Sequence, residues 1–381
     1  MYPQPLGSVT LVAVGDLLMH TNVKRSAAAA DRRNEAGESE NFAGYRDLFE
    51  HVDHVIAGAD LAFANLETPV APVSHRGTRS MVFNVDPVLL PALLDTGFDV
   101  VSFANNHVYD QGRAGLVETL DELDKAGLPQ VGAGRTCEEA AAARLIEVKD
   151  VTIGLIGSTL VYNSDLTAGP DEACTFTLDA PTAISSAAAA REAGADLVVL
   201  SVHWGNEYHT LPRAEHVALA HELVEGGIDV VWGHHPHVVQ PVETVQTADG
   251  RTAVIAYSLG NFISNQRYDY HYPEIAADRG NPRDGLLLRL TVEQTDLGPG
   301  PEGGEHRIET TLGLVEPLAV WTDNSSRRIV EDAPTIRPVM LDEALTAARQ
   351  VEEPDEQRIG LLELRRAQVD AVLAGELPAP R

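Results

Sequence analysis

Several short apolar runs in this chain end in side chains that bind metal ions. Residues 233–237 (GHHPH) offer three imidazoles, and His203 ends the most apolar run. In an extended segment His235 and His237 project to the same side, so they can chelate one ion or two. Because histidine is the commonest protein ligand for such ions, we expect a metal site here, the alternative being a surface histidine cluster.

Oxygen ligands follow other apolar runs. Asp16 leaves the first run at a Gly-Asp turn, with His20 four residues later, and Glu67 and Asn106 follow the second and third runs. The candidate metal ligands are therefore Asp16, His20, Glu67, Asn106, His203, His235 and His237. This mixed set is typical of a centre in which two divalent ions, about 3.5 to 4 Å apart, activate a water molecule. We expect Mn, Zn or Fe, and no structural zinc, because neither cysteine takes part.

The third cluster, residues 104–112 (ANNHVYDQG), carries further candidate chemistry. It holds two amides, the imidazole of His107 and the carboxylate of Asp110 within six residues. These groups are costly to remove from water without partners. A surface turn would explain the amides and the Asp-x-Gly pattern, but it leaves the central histidine unexplained. We therefore interpret the cluster as functional.

The elements that position these residues alternate along the chain. Short β-branched runs predict strands at 9–14, 61–64, 100–103, 151–156, 197–202 and 230–232. Longer Ala- and Leu-rich stretches predict helices at 45–57, 87–95, 115–125, 183–193 and 214–225. This alternation is typical of an α/β fold with parallel strands, and such folds place their sites at the carboxyl edge of the sheet. Residues 31–44 and 297–305 are predicted loops, and 357–373 forms an amphipathic stretch that we expect to pack on the main body.

Composition excludes several classes of function. The 381 residues carry a formal net charge of −29, which repels phosphate backbones and anionic lipid surfaces. We therefore expect no nucleic-acid partner and no stable membrane insertion. With no signal peptide or membrane-spanning run recognisable in the sequence, we expect a cytoplasmic protein. Cys137 and Cys174 show no CxxC spacing and are expected to be unpaired, inert thiols. The oligomeric state is not predicted.

The ordered motifs resemble those of the CapA family of poly-γ-glutamate capsule biosynthesis proteins, relatives of the calcineurin-like metallophosphoesterases. The resemblance covers roughly residues 9 to 265 and rests on GD at 15–16, NLE at 65–67, NNH at 105–107, HWG at 203–205, GHHPH at 233–237 and SLGNF at 258–262. It implies a four-layer α/β/β/α sandwich with a metal centre on one edge. We accordingly expect a main domain over 1–295 and a C-terminal extension over 296–381.

The resemblance also implies roles for individual residues. Asp16 matches the first metal ligand and Asn106 the amide ligand, and His203, His235 and His237 match the later ligands. His107 corresponds to the histidine that lies outside the metals and acts as an acid or stabilises charge on the substrate.

Two positions depart from the metallophosphoesterase pattern. Leu18 stands where the first motif has a histidine, so His20 is the nearest substitute. Neutral Asn65 stands where the bridging aspartate would be, and we expect Glu67 to bridge instead, because adjacent cations need an anionic ligand. If neither residue bridges, the centre holds one ion only. We also expect Asn261 either to bond substrate or another ligand or to form a simple Gly-Asn turn.

The expected function is metal-dependent hydrolysis of an amide, γ-glutamyl or peptide-like, or of a phosphoester in poly-γ-glutamate or capsule metabolism. The expected substrate is peptide-like or a small anion. A chain this acidic binds a polyanion only if basic residues line the cleft, and Arg76, Arg79 and Arg113 are nearest the motifs in sequence. Two alternatives remain open: a non-catalytic capsule-synthesis assembly factor with a vestigial metal site, and a peptide-modifying epimerase.

Overall fold

The structure, a computed structural model, describes residues 3–33, 42–74, 81–164, 169, 171–299, 306–325 and 334–375. Two β-sheets form its centre. The strands of the larger sheet are β1 (Gln4–Leu17), β2 (Leu61–Leu66), β3 (Val100–Ser102), β4 (Gln130–Val131), β13 (Asn261–Ile263), β14 (Asp284–Pro299), β15 (His306–Asn324) and β16 (Ile336–Met340). Their order is β16-β15-β14-β1-β2-β3-β4, and β13 pairs with β1 in parallel.

The smaller sheet has the order β11-β12-β10-β9-β7-β6. Its strands are β6 (Arg144–Val148), β7 (Val151–Thr159), β9 (Leu197–His203), β10 (Val230–His234), β11 (Val242–Gln246) and β12 (Thr252–Ala256). A separate short pair joins β5 (Ala133–Gly134) to β8 (Cys174–Thr175). Strands β7, β9, β10 and β12 run parallel, as do β1, β2, β3 and β4, so each sheet has one edge at which carboxyl ends meet.

Helices connect the parallel strands and cover the outer faces of both sheets. They are α1 (Thr21–Arg33), α2 (Asp53–Ile56), α3 (Leu89–Thr96), α4 (Gly112–Ala126), α5 (Cys137–Ala141), α6 (Ala180–Glu192), α7 (Ala214–Glu225), α8 (Leu341–Gln350) and α9 (Glu356–Leu373). Two 3₁₀ helices span Arg46–Phe49 and Ala277–Arg283. None of the helices within these described ranges has the length and apolar character needed to cross a membrane.

Alternating apolar residues explain why the two sheets pack face to face. Leu11 and Phe63 from the larger sheet share a buried cluster with Val199 and Trp232 from the smaller one, and the rings of Phe63 and Trp232 have centroids 4.7 Å apart. The intervening residues, such as Val12, point outward against the helices on that sheet's other face. A matching cluster lies between the smaller sheet and α6 and α7. The predicted α/β fold with four α/β/β/α layers is therefore confirmed.

The C-terminal region is continuous with the larger sheet. Strand β15 pairs with β14 over most of its length, and β16 adds the next strand. The amphipathic stretch forms α9, which buries Leu362 and Val369. The division into 1–295 and 296–381 stays a prediction.

Several local predictions were wrong. The region 45–57 is not one helix: Val52 donates to Phe49 in a tighter turn that buries both side chains, and α2 follows after it. Helix α1 extends through Arg33 into the predicted 31–44 loop, and β14 extends through Pro299 into the predicted 297–305 loop. Residues 34–41 and 300–305 lie outside the described ranges.

The prediction of two unpaired thiols was also wrong. Cys137 and Cys174 form a disulfide, with Cα atoms 5.5 Å apart. The pairing of β5 with β8 places Gly134 opposite Cys174, and α5 begins three residues after Gly134. The contact therefore depends on a strand pair far apart in sequence, and no cysteine spacing reveals it.

Candidate metal centre

Close contacts between backbone segments fix the strand ends that carry the site. A Cβ atom on Gly15 would lie 1.9 Å from the carbonyl oxygen of Gly260, and one on Gly233 would lie 2.0 Å from that of Tyr257. Glycine is required at both positions because nothing larger fits. The residues that follow, Asp16 and His234, are held at the edge where the two sheets meet.

Strand register brings the first polar residues together. Asp16 lies opposite Asn65 on β2 and opposite Asn261 on β13. Asn65 Nδ2 donates to Asp16 Oδ1 at 2.8 Å and lies 3.3 Å from His203 Nδ1. Asn65 thus links residues of the two sheets, although it does not supply the negative charge of a bridging aspartate.

His237 lies between Asp16 and Asn261. Its Nδ1 is 3.0 Å from Asp16 Oδ2 and 3.1 Å from Asn261 Oδ1, so Nδ1 carries the proton and donates. Nε2 is left with its lone pair, 3.8 Å from Glu67 Oε1. Donation from one ring nitrogen to a carboxylate is the usual way in which metal-binding histidines are oriented.

Glu67 is the central carboxylate of the site. It has no exposed surface, and neither of its oxygens has a hydrogen-bond partner among the described residues. Its Oε1 lies 3.7 Å from His203 Nε2, 3.8 Å from His237 Nε2 and 3.9 Å from His107 Nε2. These distances are too long for hydrogen bonds. A buried, unpartnered carboxylate surrounded by imidazole nitrogens fits a cation.

Asn106 and His203 connect the two sheets on the other side of Glu67. His203 Nε2 lies 2.9 Å from Asn106 Oδ1, and Asn106 Nδ2 donates to Asn163 Oδ1 at 3.2 Å. Both nitrogens of His203 therefore have protein partners. For His203 Nε2 to bind a metal, this contact to Asn106 must open.

His107 and Asp110 form an acid–base pair beside Glu67. His107 Nδ1 lies 2.8 Å from Asp110 Oδ2, which holds the proton on Nδ1 and leaves the Nε2 lone pair 3.9 Å from Glu67 Oε1. Asp110 also accepts from the N–H of Phe83, and the Phe83 ring packs 4.3 Å from that of His107. The imidazole orientation is thus fixed from two sides.

Two groups of side chains have the spacing of metal ligands. Asp16, Glu67 and His237 each offer an atom within 4.8 Å of the others, and so do Glu207, His235 and His237. His237 belongs to both groups, so the two groups adjoin, and its one lone pair, on Nε2, can bind an ion in either group but not in both. His235 and His237 both have positive φ, 93° and 56°, a conformation that L-residues rarely adopt and that clusters at functional sites.

Burial and neighbouring charge shift the titration of the site residues. Burial opposes ionisation of Asp16, but hydrogen bonds from His234 and His237 hold its pKa well below the usual range. Burial and the charge of Asp16 raise the pKa of Glu67 well above normal. Burial lowers the pKa of His203, and it lowers that of His235 to about 3, with a further contribution from His237. Neutral imidazoles beside carboxylates are the forms that bind metal ions.

The structure brings most of the predicted site residues to one edge. Asp16, Glu67, Asn106, His107, His203, His235 and His237 are buried there together. His20 belongs to neither ligand group: its Nδ1 accepts from the N–H of Asn265, and its ring packs on Phe83 at the mouth of an adjoining cavity. Burial, followed by the charge of His237, lowers the pKa of His20 to about 4. Its role as a ligand stays a prediction.

Asn261 is buried with its amide fully engaged. Nδ2 donates to the carbonyl of Pro282 at 2.7 Å and to Gln266 Oε1 at 3.1 Å, while Oδ1 faces His237. This arrangement favours positioning of His237 over direct contact with a substrate.

Sequence reasoning missed three participants. Glu207 lies in the motif that follows His203, but a single carboxylate in a loop carries no signal of its own. His234 Nδ1 is 3.4 Å from Asp16 Oδ1, and Asn163 contacts both Asn106 and His107. Asn163 comes from a loop with no motif, so no pattern in the sequence identifies it.

Comparisons with known proteins place the site in a family context. The family model described as bacterial capsule synthesis protein PGA_cap matches residues 10–266. The capsule biosynthesis protein CapA of Bacillus anthracis is 29% identical over 265 residues, covering 68% of this chain and 60% of the relative. The PGA biosynthesis protein CapA of Bacillus subtilis is 31% identical over 258 residues, covering 67% of this chain and 63% of the relative. The match thus spans about three fifths of these relatives.

One solved structure with a similar fold is the calcineurin-like phosphoesterase YfkN of Bacillus subtilis, with a TM-score of 0.42 and 12% sequence identity. The match covers 96% of this chain and 98% of that one. The NAD nucleotidase NadN of Haemophilus influenzae has a TM-score of 0.43, 11% identity and coverage of 96% and 60%. The family match covers all six motifs around the candidate centre, and the chain belongs to the bacterial capsule synthesis protein PGA_cap family, as its CapA-like motifs predict.

Proposed function

We propose that this protein is a metal-dependent hydrolase that cleaves an amide bond in a γ-glutamyl or similar peptide-like chain, in poly-γ-glutamate or capsule metabolism. The observation that carries the proposal is Glu67, a wholly buried carboxylate with no hydrogen-bond partner among the described residues and three imidazole nitrogens 3.7–3.9 Å away. Leaving such a group uncompensated costs several kcal/mol, roughly, so a cation is its natural complement.

The donor set supports two divalent ions. Asp16 and Glu67 would hold one ion and Glu207 and His235 the other, and the single lone pair of His237, on Nε2, would bind one of the two. These oxygen and imidazole donors suit Mn, Zn or Fe. Cations held there would supply positive charge that acidifies water and polarises the scissile bond.

The protein groups around the centre would transfer protons and position the ligands. His107, held by Asp110, presents Nε2 toward the centre and in its protonated form can give a proton to the departing amine. Water adds to the carbonyl carbon, the C–N bond breaks, and His107 regains a proton from the water. Asn261 and Asp16 keep His237 in the tautomer that leaves Nε2 unprotonated.

The amide substrate is inferred from the family, whose members include PGA biosynthesis proteins, and phosphoester hydrolysis is the competing reaction on the same centre. An assembly factor with a vestigial site is the competing non-catalytic function. Metal content separates the classes, and two substrates assayed side by side separate the reactions: a γ-linked glutamate pentamer and bis-(p-nitrophenyl) phosphate.

The test uses protein purified without chelator and reconstituted with Mn or Zn. We expect one to two ions per chain and pentamer cleavage that is abolished by His235→Ala. The matched control is His54→Ala, a histidine that is exposed and paired with Glu343 away from the centre. Fewer than about 0.1 ion per chain would overturn the proposal in favour of an assembly factor. Cleavage of the phosphodiester alone would overturn the amide assignment, and cleavage that survives His235→Ala would overturn the site.

A further inference from the structure

A cavity of about 690 Å³ adjoins the metal centre. Its walls come from the loop before α1 and the first turn of that helix, from residues 81–83, and from residues 265–269. His20, Phe83 and Tyr208 line it where it meets the centre. The Phe83 ring lies 4.3 Å from that of His107, and the Tyr208 ring lies 6.2 Å from that of His237. A molecule in this cavity is therefore next to the proposed reacting groups.

The cavity has an unusual charge for this protein. Although the chain carries a net charge of −29, the charged residues among the described part of the lining are three cations, Lys24, Arg25 and Arg267, and one carboxylate, Asp269. Positive charge concentrated in a cleft focuses the local field and attracts anions even where the whole surface is acidic. We call these three residues the cation cluster.

Within the part of the chain that the structure describes, the cation cluster forms no ion pair with a carboxylate. Lys24 Nζ donates to the carbonyl of Asn84 at 2.8 Å, and Arg25 makes a single long contact of 3.4 Å to Asn22 Oδ1. Throughout the described ranges, no ion pair reaches any member of the cluster. Arginines elsewhere behave differently: Arg135, for example, bonds both Asp121 and Asp124.

The basic residues nearest the motifs in sequence are not among the described residues that line this cavity. Arg76 and Arg79 lie outside the described residues, and Arg113 pairs with Glu172 at 3.1 Å. The cation cluster is assembled instead by tertiary structure. Lys24 and Arg25 come from α1, and Arg267 comes from the loop after β13, where its φ of 51° places it in a conformation that non-glycine residues rarely adopt.

We propose that the cation cluster binds the carboxylates of an acidic, peptide-like chain while the bond to be cleaved lies at the metal centre. The inference rests on the proposed function and names the part of the substrate that this cavity recognises. Arginine guanidinium groups bind carboxylates through paired hydrogen bonds, and the Lys24 ammonium adds a third cation. The half-exposed rings of Tyr208 and Tyr268 would cover the intervening chain.

The experiment measures equilibrium binding of a γ-linked glutamate pentamer by calorimetry in chelator, where the proposed cleavage cannot proceed, with its α-carboxamide analogue as the uncharged probe. Arg25→Gln/Arg267→Gln should raise the dissociation constant of the pentamer about 10- to 100-fold. The metal content and the unfolding midpoint of the double variant should stay at wild-type values. The analogue should bind weakly to wild type and variant alike. Arg135→Gln is the matched control, because it removes an arginine that lies outside the cavity lining.

Three results would overturn the inference. The pentamer could bind wild type and the double variant with equal affinity, or wild type could bind the pentamer and the carboxamide with equal affinity. The third is that the double substitution weakens binding of a glycerol phosphate oligomer but not of the pentamer. Failure of the proposed function looks different. A protein without metal that still binds the pentamer through the cation cluster would retain the cavity assignment and lose the hydrolase.

Discussion

Two regions of this molecule bury ionisable side chains, and they differ in whether the protein supplies hydrogen-bond partners for the buried group. Near the C-terminus, Arg365 is fully buried, yet each of its nitrogens donates. Nε bonds Asp284 Oδ1 at 2.9 Å, Nη1 bonds the carbonyl of Ala277 at 2.6 Å, and Nη2 bonds Asn281 at 2.8 Å as well as Asp284 Oδ2. The guanidinium also stacks over Trp321. This pair joins α9 to β14.

At the metal centre, Glu67 is equally buried and has no donor among the described residues. Burial raises the pKa of both carboxyls, but Asp16 adds to the shift at Glu67, whereas Arg365 counters part of the shift at Asp284. Arg365, whose hydrogen-bond partners are all supplied by the protein, holds two elements of the fold together. Glu67, which has no such partner among the described residues, is suited to binding a ligand of opposite charge.

The largest expected effect comes from Glu67→Gln. The change keeps the shape and removes the negative charge, so we expect metal affinity to fall more than about 100-fold and turnover to fall with it. Without metal, the variant should unfold at the same or higher denaturant concentration than wild type, because burial penalises the ionised form of Glu67 and a glutamine amide carries no charge. Metal titration and urea unfolding in chelator measure the two effects.

The control for this change is Glu363→Gln, which alters an exposed glutamate paired with Arg349. If Glu67→Gln binds metal as wild type does, or if the metal-free variant is clearly less stable, Glu67 belongs with the structural charges and the contrast between the regions disappears.

Much of the metal centre could be predicted from sequence, because it depends on strand ends. Parallel strands carry their carboxyl ends to one edge, so Asp16, Glu67, His203 and His237 could be expected to converge. The family resemblance added the acid or charge-stabilising role of His107 and the four-layer fold. The β-branched runs located six strands, although β1 begins five residues before its predicted start, and α7 begins and ends where its Ala- and Leu-rich stretch predicts.

The remainder depends on tertiary contacts that no local pattern encodes. Glu207 and Asn163 reach the centre from loops, and the cation cluster combines α1 with a loop some 240 residues later. The 45–57 region kept its apolar spacing but broke into two turns, with Arg46 bonded to Asp53 across the break. The Arg365 pair likewise depends on α9 reaching back to β14, which hydrophobic periodicity does not specify.

The next effect tests the structural region. Arg365→Met leaves Asp284 buried without its ion-pair partner, and we expect the free energy of unfolding to fall by about 3–5 kcal/mol. Metal content of the folded protein should not change, since Asp284 lies outside both ligand groups. Chemical unfolding and metal analysis of the same samples check both statements.

A double variant sharpens the result. Arg365→Met/Asp284→Leu removes both charges and should regain most of the lost stability, because an apolar pair of similar volume avoids the desolvation cost. A single variant that is as stable as wild type, or a double variant that is no better than the single, would mean that this pair does not hold α9 in place.

The smallest effect concerns a charge that lies at the surface, and it completes the comparison. Burial acts to raise the pKa of Asp60, but bonds from Lys149 Nζ at 2.8 Å and from the N–H of Thr10 at 2.9 Å lower it below the ordinary value. A carboxyl with a lowered folded-state pKa contributes stability above its unfolded-state pKa and loses it as the pH falls through the folded-state pKa. Because the pair is exposed, the contribution should be below about 1 kcal/mol.

Asp60→Asn should therefore be slightly less stable than wild type at about pH 7, and the two should converge as the pH drops below about 4. Urea unfolding across this range measures the difference, with Asp60→Asn/Lys149→Gln separating the ion pair from the backbone bond. A difference that stays constant with pH would show that the carboxylate charge contributes nothing at this position, and a difference of several kcal/mol would place Asp60 with the buried structural charges.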